Sequence, residues 1–560
     1  MIQARFLRLF LALILLAPLP AATRDPVRAK KAMVVSSEEN ATRAGVEILR
    51  GGGNAVDAAI TVGFALAVTH PWAGNLGGGG FMLIRFAHGR TAFLDFRERA
   101  PRAASRDMYL DAQGKPTDES VAGYRASGVP GTVRGFDLAL KKYGTKEWSA
   151  LIEPAITLAQ KGFPLSWGLA DSLRSSSRMA RFPESHRIFQ RDGRFYEMGE
   201  VLRQPELAAT LQRIAKAGPN EFYEGKTAQL IAADMERNGG TITLEDLKEY
   251  APVEREPLRS TYKDYELLLA PPPSSGGIGI GQMLNMLEGS GYEKPGAGSA
   301  AAIHYVAEVM RRYFADRALH FGDPDFASVP GVGLLSKKYA LSRRSSIRAG
   351  HVTPSVSLQA GDPMGYESSE TTHYSVVDSQ GNAVAVTYTL NGAFGSGVTA
   401  KGTGVLLNNE MDDFTVKPGE ANMYGVLQGE KNSIEPRKRP LSSMTPTILT
   451  RGGKLFMIVG SPGGPTIIST VLEVILNVVD FKMDLQQAVD FPRFHHQWMP
   501  DELRVERYGT SPDTIQGLQQ RGHEIRFVDA QGRVMAIQVG DDGWLLGAAD
   551  ARSEGLAAGF

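Results

Sequence analysis

Apolar and polar positions alternate along this chain at changing intervals, and the intervals name the elements. From Asn40 to Arg50 the apolar residues return at helical spacing, and from Asn54 to His70 (NAVDAAITVGFALAVTH) they run nearly all round, which predicts a helix enclosed in a core. The GGGN stretch at Gly51 to Asn54 supplies the stop of the first helix and the cap of the second. Two strand-like runs, Phe81 to Phe86 and Thr91 to Arg97, flank His88-Gly89 and predict a hairpin. Between Ala122 and Asp246 helical patterns dominate, among them Gly131 to Lys142, Ile152 to Lys161 and Thr227 to Asn238. Leu247 to Pro252 and PPPSSGG (Pro271 to Gly277) read as loops.

From His351 to Glu370 the chain is polar and aperiodic, the pattern of a flexible connector. Strand character then resumes: His373 to Val377 and Ala383 to Leu390 are joined by Ser379-Gln380-Gly381, a three-residue hairpin loop whose glycine can take the left-handed position. If Asp378 faces Asn382, Thr372 lies opposite Tyr388 and Thr371 opposite Thr389. Parity places Thr387, Thr389 and Asn391 on one face and Val384, Val386 and Tyr388 on the other. A bulge would slip this register by one residue.

Composition narrows the chemistry. The 560 residues are 42% apolar, enough for a large core, and Lys+Arg and Asp+Glu both number 61, so no net field draws nucleic acid or an anionic membrane. A small-molecule partner is expected. Cysteine is absent, which removes disulfides, thiolate nucleophiles and cysteine metal sites together. Arg5 and Arg8 precede the apolar run Leu9 to Leu16 and the small residues Ala21-Ala22, so residues 1–22 read as a signal peptide and the protein as periplasmic or secreted.

A threonine hydroxyl is a weak nucleophile unless a base stands beside it. An N-terminal threonine carries its own. Cleavage between Glu370 and Thr371 would free an α-amine whose ordinary pKa of about 7.7 to 8.0 suits it to accept the hydroxyl proton. Thr389 would then orient the pair. Alone, Thr-Thr at a strand start is ordinarily structural, because β-branched residues favour strands.

Its company changes the reading. AGNLGGGG (Ala73 to Gly80), DFRERAP (Asp95 to Pro101), TTHYSVVD (Thr371 to Asp378), LLNNEMDDF (Leu406 to Phe414), RPLSSMTPTI (Arg439 to Ile448) and GSPGG (Gly460 to Gly464), in this order, resemble the γ-glutamyltranspeptidases of the N-terminal nucleophile hydrolases. The resemblance runs from about Lys31 to Phe560. It implies an α+β fold of four layers, αββα, and a precursor that cuts itself into a large subunit, 23–370, and a small subunit, 371–560, which remain together as a heterodimer.

By the same resemblance Thr371 is the nucleophile and Glu370 the last residue of the large subunit. Arg97, Ser442 and Ser443 bind the donor's α-carboxylate; Asn391, Glu410 and Asp413 bind its α-ammonium. Some relatives carry glutamine at Glu410. Gly463 and Gly464 form the oxyanion hole, and Tyr424 lies in a lid loop, Pro418 to Arg439. Expected substrates are glutathione and other γ-glutamyl compounds, with water, amino acids or dipeptides as acceptors.

Other signals are weaker. PWAGNLGGGG lacks the Lys-Ser/Thr of a P-loop and reads as close backbone packing. His495-His496 has no metal-site spacing, so no metal or cofactor is implied. No Gly-x-Ser-x-Gly occurs. His373 shares a face with Thr371 only in regular β geometry. Two rivals stay open: an acylase acting on glutaryl side chains of β-lactams, and an exported binding protein without catalysis.

Overall fold

The computed structural model describes residues 24–362 and 372–560; the expected signal segment, 1–22, and the Glu370–Thr371 bond lie outside the described residues. Helix Glu39–Arg50 and the wholly buried helix Ala55–Thr69 form as the apolar spacing predicts, and Asn54 caps the second in a box with Asp57. The strands Gly79–Arg85 and Thr91–Asp95 pair antiparallel around His88-Gly89. Helices Thr132–Tyr143, Trp148–Lys161 and Lys226–Arg237 match the three helical patterns within a few residues.

Two antiparallel sheets of seven strands carry the architecture. The first runs in the order Leu556–Gly559, Met33–Ser36, Thr372–Val377, Ala383–Thr389, Gly79–Arg85, Thr91–Asp95, Val253–Arg255; the second is Val27–Ala29, Leu545–Ala549, Met535–Val539, Lys454–Gly460, Thr447–Arg451, Tyr265–Leu269, Leu258–Tyr262. Phe81, Leu83, Val377 and Ala385 from one sheet meet Leu268, Ile448, Ile458 and Ile537 from the other in a shared apolar layer. Val384, Val386 and Tyr388 point the opposite way, into a core formed with Ala55–Thr69 and its neighbouring helices. Gly276–Leu287, Ala300–His320 and Thr466–Val479 cover the outside of the second sheet. The order is helix, sheet, sheet, helix, as the resemblance implies.

Two local expectations need correction. The loop expected over Leu247 to Pro252 begins inside a short helix, Leu244–Glu249, held by a capping box between Thr243 and Asp246. Likewise Gly276 and Gly277, at the end of PPPSSGG, open a helix instead of continuing a loop.

The described part of the expected connector, residues 351–362, is also not a free tether. Val352 N–H donates to Arg521 O at 2.8 Å, Thr353 N–H to Glu308 Oε1 at 3.1 Å, and Ser355 N–H to Asp501 Oδ2 at 2.7 Å. A polar, aperiodic stretch gains order here from partners distant in sequence, which no local pattern reports.

Candidate active site

The hairpin sets the frame. Thr372 pairs with Tyr388, His373 with Thr387 and Val377 with Ala383, the predicted register, and Gly381 takes φ +82° in the turn. Thr371 itself lies outside the described residues. On the next strand Thr389 pairs with Gly79, and Thr389 Oγ1 accepts from Asn391 N–H at 2.7 Å. The glycine run explains this closeness: a Cβ on Gly78 would lie 1.9 Å from Thr389 O and one on Gly80 2.4 Å from Tyr388 Cβ. PWAGNLGGGG is indeed a site of backbone contact. Asn75, within it, donates to Thr389 O at 2.7 Å and accepts from Gly78 N–H and Thr132 Oγ1, fixing the strand end.

His373 and Ser375 face the second sheet. His373 Nδ1 contacts Thr387 Oγ1 at 2.9 Å and its Nε2 contacts Ser375 Oγ at 3.0 Å, while Ser375 donates to Met535 O across the sheets. Burial pulls the imidazole down to about pH 3, so it is neutral. A Cβ on Gly460 would sit 2.3 Å from this ring. His373 therefore fills the space between the hairpin and the strand that leads into GSPGG.

Two residues past the end of strand Thr91–Asp95, Arg97 is completely buried amid carboxylates. Its guanidinium stands 2.6 Å from Glu410 and 3.6 Å from Glu98, and it bonds to Asp413; Nε and Nη2 also donate to Pro440 O (3.2 Å) and Leu441 O (2.7 Å). Burial works against that charge, and Glu410, Asp413 and Glu98 outweigh it, raising the guanidinium pKa. Burial also lifts the Glu98 and Glu410 carboxyls, with Arg97 opposing. Ser442 and Ser443, fully buried, follow directly on those two carbonyls. Asn391, at φ +68°, donates its Nδ2–H to Asn409 O at 2.9 Å, and Gly392 N–H donates to Asn409 Oδ1. Thus the structure brings Arg97, Glu410, Asp413 and the serine pair into one cluster.

GSPGG turns from strand Lys454–Gly460 into helix Thr466–Val479, with Gly463 at φ +134° and Gly464 at φ +65°. Both values favour glycine. The lid loop folds over the acidic segment: Met423 N–H donates to Asp412 Oδ2 at 3.2 Å, and Gln428 and Asn432 side chains donate to Asp413 O. Tyr424 is half-buried, its carbonyl 3.4 Å from Gln497 Nε2. Burial, then the charge of Asp413, raises Asp412 to about 7.

Sequence reasoning passed over Asn75, Glu98, Asn409 and Asp412. All four lie inside motifs already singled out, but their importance comes from burial and from partners elsewhere in the chain. His495 and His496 are buried, the first against Ser469 and Gln497 and the second against Asp501.

A family model described as Gamma-glutamyltranspeptidase matches residues 41–560. The chain is 51% identical over 539 residues to the glutathione hydrolase proenzyme of Escherichia coli (strain K12), covering 96% of this chain and 93% of that protein. Among solved structures, the cephalosporin acylase from Bacillus halodurans superposes with a TM-score of 0.85 at 29% identity, covering 97% of this chain and 98% of the other. The Helicobacter pylori gamma-glutamyltranspeptidase gives 0.58 at 42% identity, over 62% of this chain and 97% of that one.

Proposed function

The chain belongs to the γ-glutamyltranspeptidase family, and on that premise we propose that it is a self-processing γ-glutamyltransferase and glutathione hydrolase whose nucleophile is Thr371. The observation that carries the reading is Arg97 buried against Glu410 and Asp413 near the end of strand Ala383–Thr389. A γ-glutamyl donor ends in a carboxylate and an ammonium on one carbon. Arg97, with Ser442 and Ser443, would take the carboxylate; Glu410, Asp413 and Asn391 the ammonium. The donor would exchange ion pairs internal to this cluster for pairs with its own two charges, its carboxylate meeting Arg97 and its ammonium the freed carboxylates.

The sheet supplies the spacing. On the register expected from the sequence Thr371 would lie opposite Thr389; Gly79 pairs with Thr389 on the next strand, and the chain leaving Thr91–Asp95 reaches Arg97 one strand further. Three strand spacings amount to roughly 14 Å. An arginine side chain and a glutamyl chain laid end to end cover that gap.

Cleavage after Glu370 would yield pieces 23–370 and 371–560, once the signal segment 1–22 is removed. They would remain together, because Thr372–Val377 and Ala383–Thr389 lie between strands of the larger piece. The freed α-amine takes the Thr371 hydroxyl proton as Oγ attacks the γ-carbonyl. The Gly463 and Gly464 N–H groups receive the oxyanion, each such donor being worth about 10²- to 10³-fold in rate. Collapse of the intermediate expels cysteinylglycine, protonated by the same amine, and leaves a γ-glutamyl ester. Water, an amino acid or a dipeptide then takes the acyl group.

The signal segment directs the protein to the periplasm or outside the cell; no helix among the described residues is long and apolar enough to cross a membrane. Likeness to a cephalosporin acylase supports a second reading, an amidase for glutaryl side chains. A glutaryl group has no ammonium and would strand Glu410 and Asp413, which favours glutamyl. Similarity to glutathione hydrolase proenzymes favours catalysis over a non-catalytic binding protein.

N-terminal sequencing of the mature pieces, with assay of cysteinylglycine released from glutathione, tests this. The smaller piece should begin at Thr371, and Thr371→Ala should remain one chain without turnover. Splitting and turnover that survive Thr371→Ala would overturn the reading.

A further inference from the structure

A cavity of about 400 Å³ opens beside the proposed catalytic segments, lined in part by Ser37, His70, Trp72, Trp167, Arg533 and Glu554. Contacts tie its wall to the segments that flank the proposed reacting groups. Ser37 Oγ lies 3.3 Å from Thr372 Oγ1, on the residue after the nucleophile. Arg533 N–H donates to Ser461 Oγ at 2.9 Å, and its neighbour Gly532 presents its Cα 3.2 Å from where a Cβ on Gly463 would sit. Trp72 O accepts from Phe394 N–H, in the loop after Asn391. The cavity thus adjoins the nucleophile strand, the oxyanion turn and the donor-ammonium loop at once.

Arg533 is its unusual member. The guanidinium stacks over the Trp72 ring at 4.1 Å from the centroid, and Nε donates to Arg552 O at 3.2 Å. Among the described residues no carboxylate forms an ion pair with it. The nearest anions are already committed: Asp550 to Arg493 and Arg552, Glu554 to Ser166 and Gly168 N–H. A largely enclosed arginine without a counter-ion, facing space the size of a small peptide, is poised for an external carboxylate. Trp167, 68% exposed at the rim, and Trp72 offer flat walls to the rest of such a molecule.

We propose that this cavity is the acceptor subsite, in which Arg533 holds the free carboxylate of an amino acid or dipeptide so that its amine points at the γ-glutamyl ester. The proposal rests on the transferase reading above. In the transfer step the acceptor nitrogen forms a bond to the γ-carbonyl carbon, the bond from that carbon to Thr371 Oγ breaks, and the nitrogen's proton passes through the Thr371 α-amine to Oγ. Nothing is oxidised or reduced. The Gly463 and Gly464 N–H groups stabilise this second oxyanion as they do the first.

The test compares glycylglycine with glycylglycinamide, which differ only in that carboxylate, as acceptors for the γ-glutamyl group in the processed enzyme. Wild type should transfer to the acid with a kcat/KM about 10- to 100-fold higher than to the amide, the size of one charge-assisted hydrogen-bond set. Arg533→Met should bring the ratio to near unity, and Arg533→Lys should restore part of it. Equal use of both acceptors by wild type, which needs no variant to fold, overturns the subsite, as does an Arg533→Met enzyme that keeps the preference. A wild-type enzyme that releases no cysteinylglycine from glutathione overturns the functional reading itself, and the subsite with it.

Discussion

On the reading proposed above, Arg97 and Arg533 serve the same reaction from opposite surroundings. Arg97 is sealed from water and closed upon Glu98, Glu410 and Asp413, while Arg533 lies on a tryptophan ring with an open cavity before it and no carboxylate in ion-pair reach among the described residues. The first region already pairs its cation with carboxylates, and on the proposed reading it would take a ligand by exchange of partners, which selects a molecule carrying both charges. The second presents a cation with no ion-paired carboxylate among the described residues, and on the proposed reading it would select a molecule carrying the opposite charge. Two arginines in one enzyme can therefore read two different ends of two different substrates.

The sharpest way to break this contrast is to delete each cation. Arg97→Met leaves three buried carboxyl groups without their counter-ion, and loss of one partner of a buried pair costs about 3–5 kcal/mol. It should lower the unfolding midpoint strongly and reduce donor kcat/KM by roughly 10³-fold or more, the combined loss of a buried charge pair and a binding contact. Arg533→Met should cost less than about 1 kcal/mol of stability, since no ion pair is removed. Equal destabilisation by the two variants in the same thermal scan would abolish the distinction.

A milder change probes the exchange of partners. Asp413→Asn removes one carboxylate that bonds directly to Arg97 and should lower kcat/KM for γ-glutamyl donors by about 10²-fold, within the value of a buried charge-assisted contact. It should lower it much less for glutaryl donors, which offer no ammonium. A uniform loss for both would show that Asp413 only props Arg97.

The next effect is one of pH. Asp412, fixed by Ser120 Oγ and Met423 N–H and facing Asp413 and Arg178, is raised to about 7, chiefly by burial, against an ordinary carboxylate value of about 3.9. The native chain binds this proton more tightly than the unfolded one. The resulting stability is complete below the ordinary value and is lost as pH rises through about 7. Asp412→Asn should therefore gain on wild type in thermal midpoint between pH 4 and pH 7, with no further gain above. A constant difference across that range would remove Asp412 as the titrating group.

The smallest effect is expected at Glu410. Its carboxyl is already pushed towards the neutral form by burial, and Glu410→Gln should change donor kcat/KM by less than about tenfold. A loss as large as that of Asp413→Asn would mean that Glu410 is charged when substrate binds.

Much of this was legible in the chain. The register of the hairpin Thr372–Val377 and Ala383–Thr389 followed from one short loop with a left-handed glycine, because turn geometry and period-two alternation act locally. The helix Leu244–Glu249 was overlooked although Thr243 and Asp246 form its capping box; a helix of six residues gives too little periodicity to outweigh neighbouring turn residues. The anchoring of residues 351–362 to Glu308, Asp501 and Arg521 was not legible, since those partners are distant in sequence.

Sequence alone determined the elements, the hairpin register and, through ordered motifs, the family and its expected chemical groups, because propensity, alternation and motif spacing are properties of neighbouring residues. Tertiary structure alone decided that Arg97 would be closed upon three carboxyl groups, that His373 would give both ring nitrogens to Thr387 and Ser375, and that Arg533, in no motif, would face a cavity beside the oxyanion turn. Burial and charge pairing depend on which distant segments the two sheets bring together, and that information resides in no single stretch of the chain.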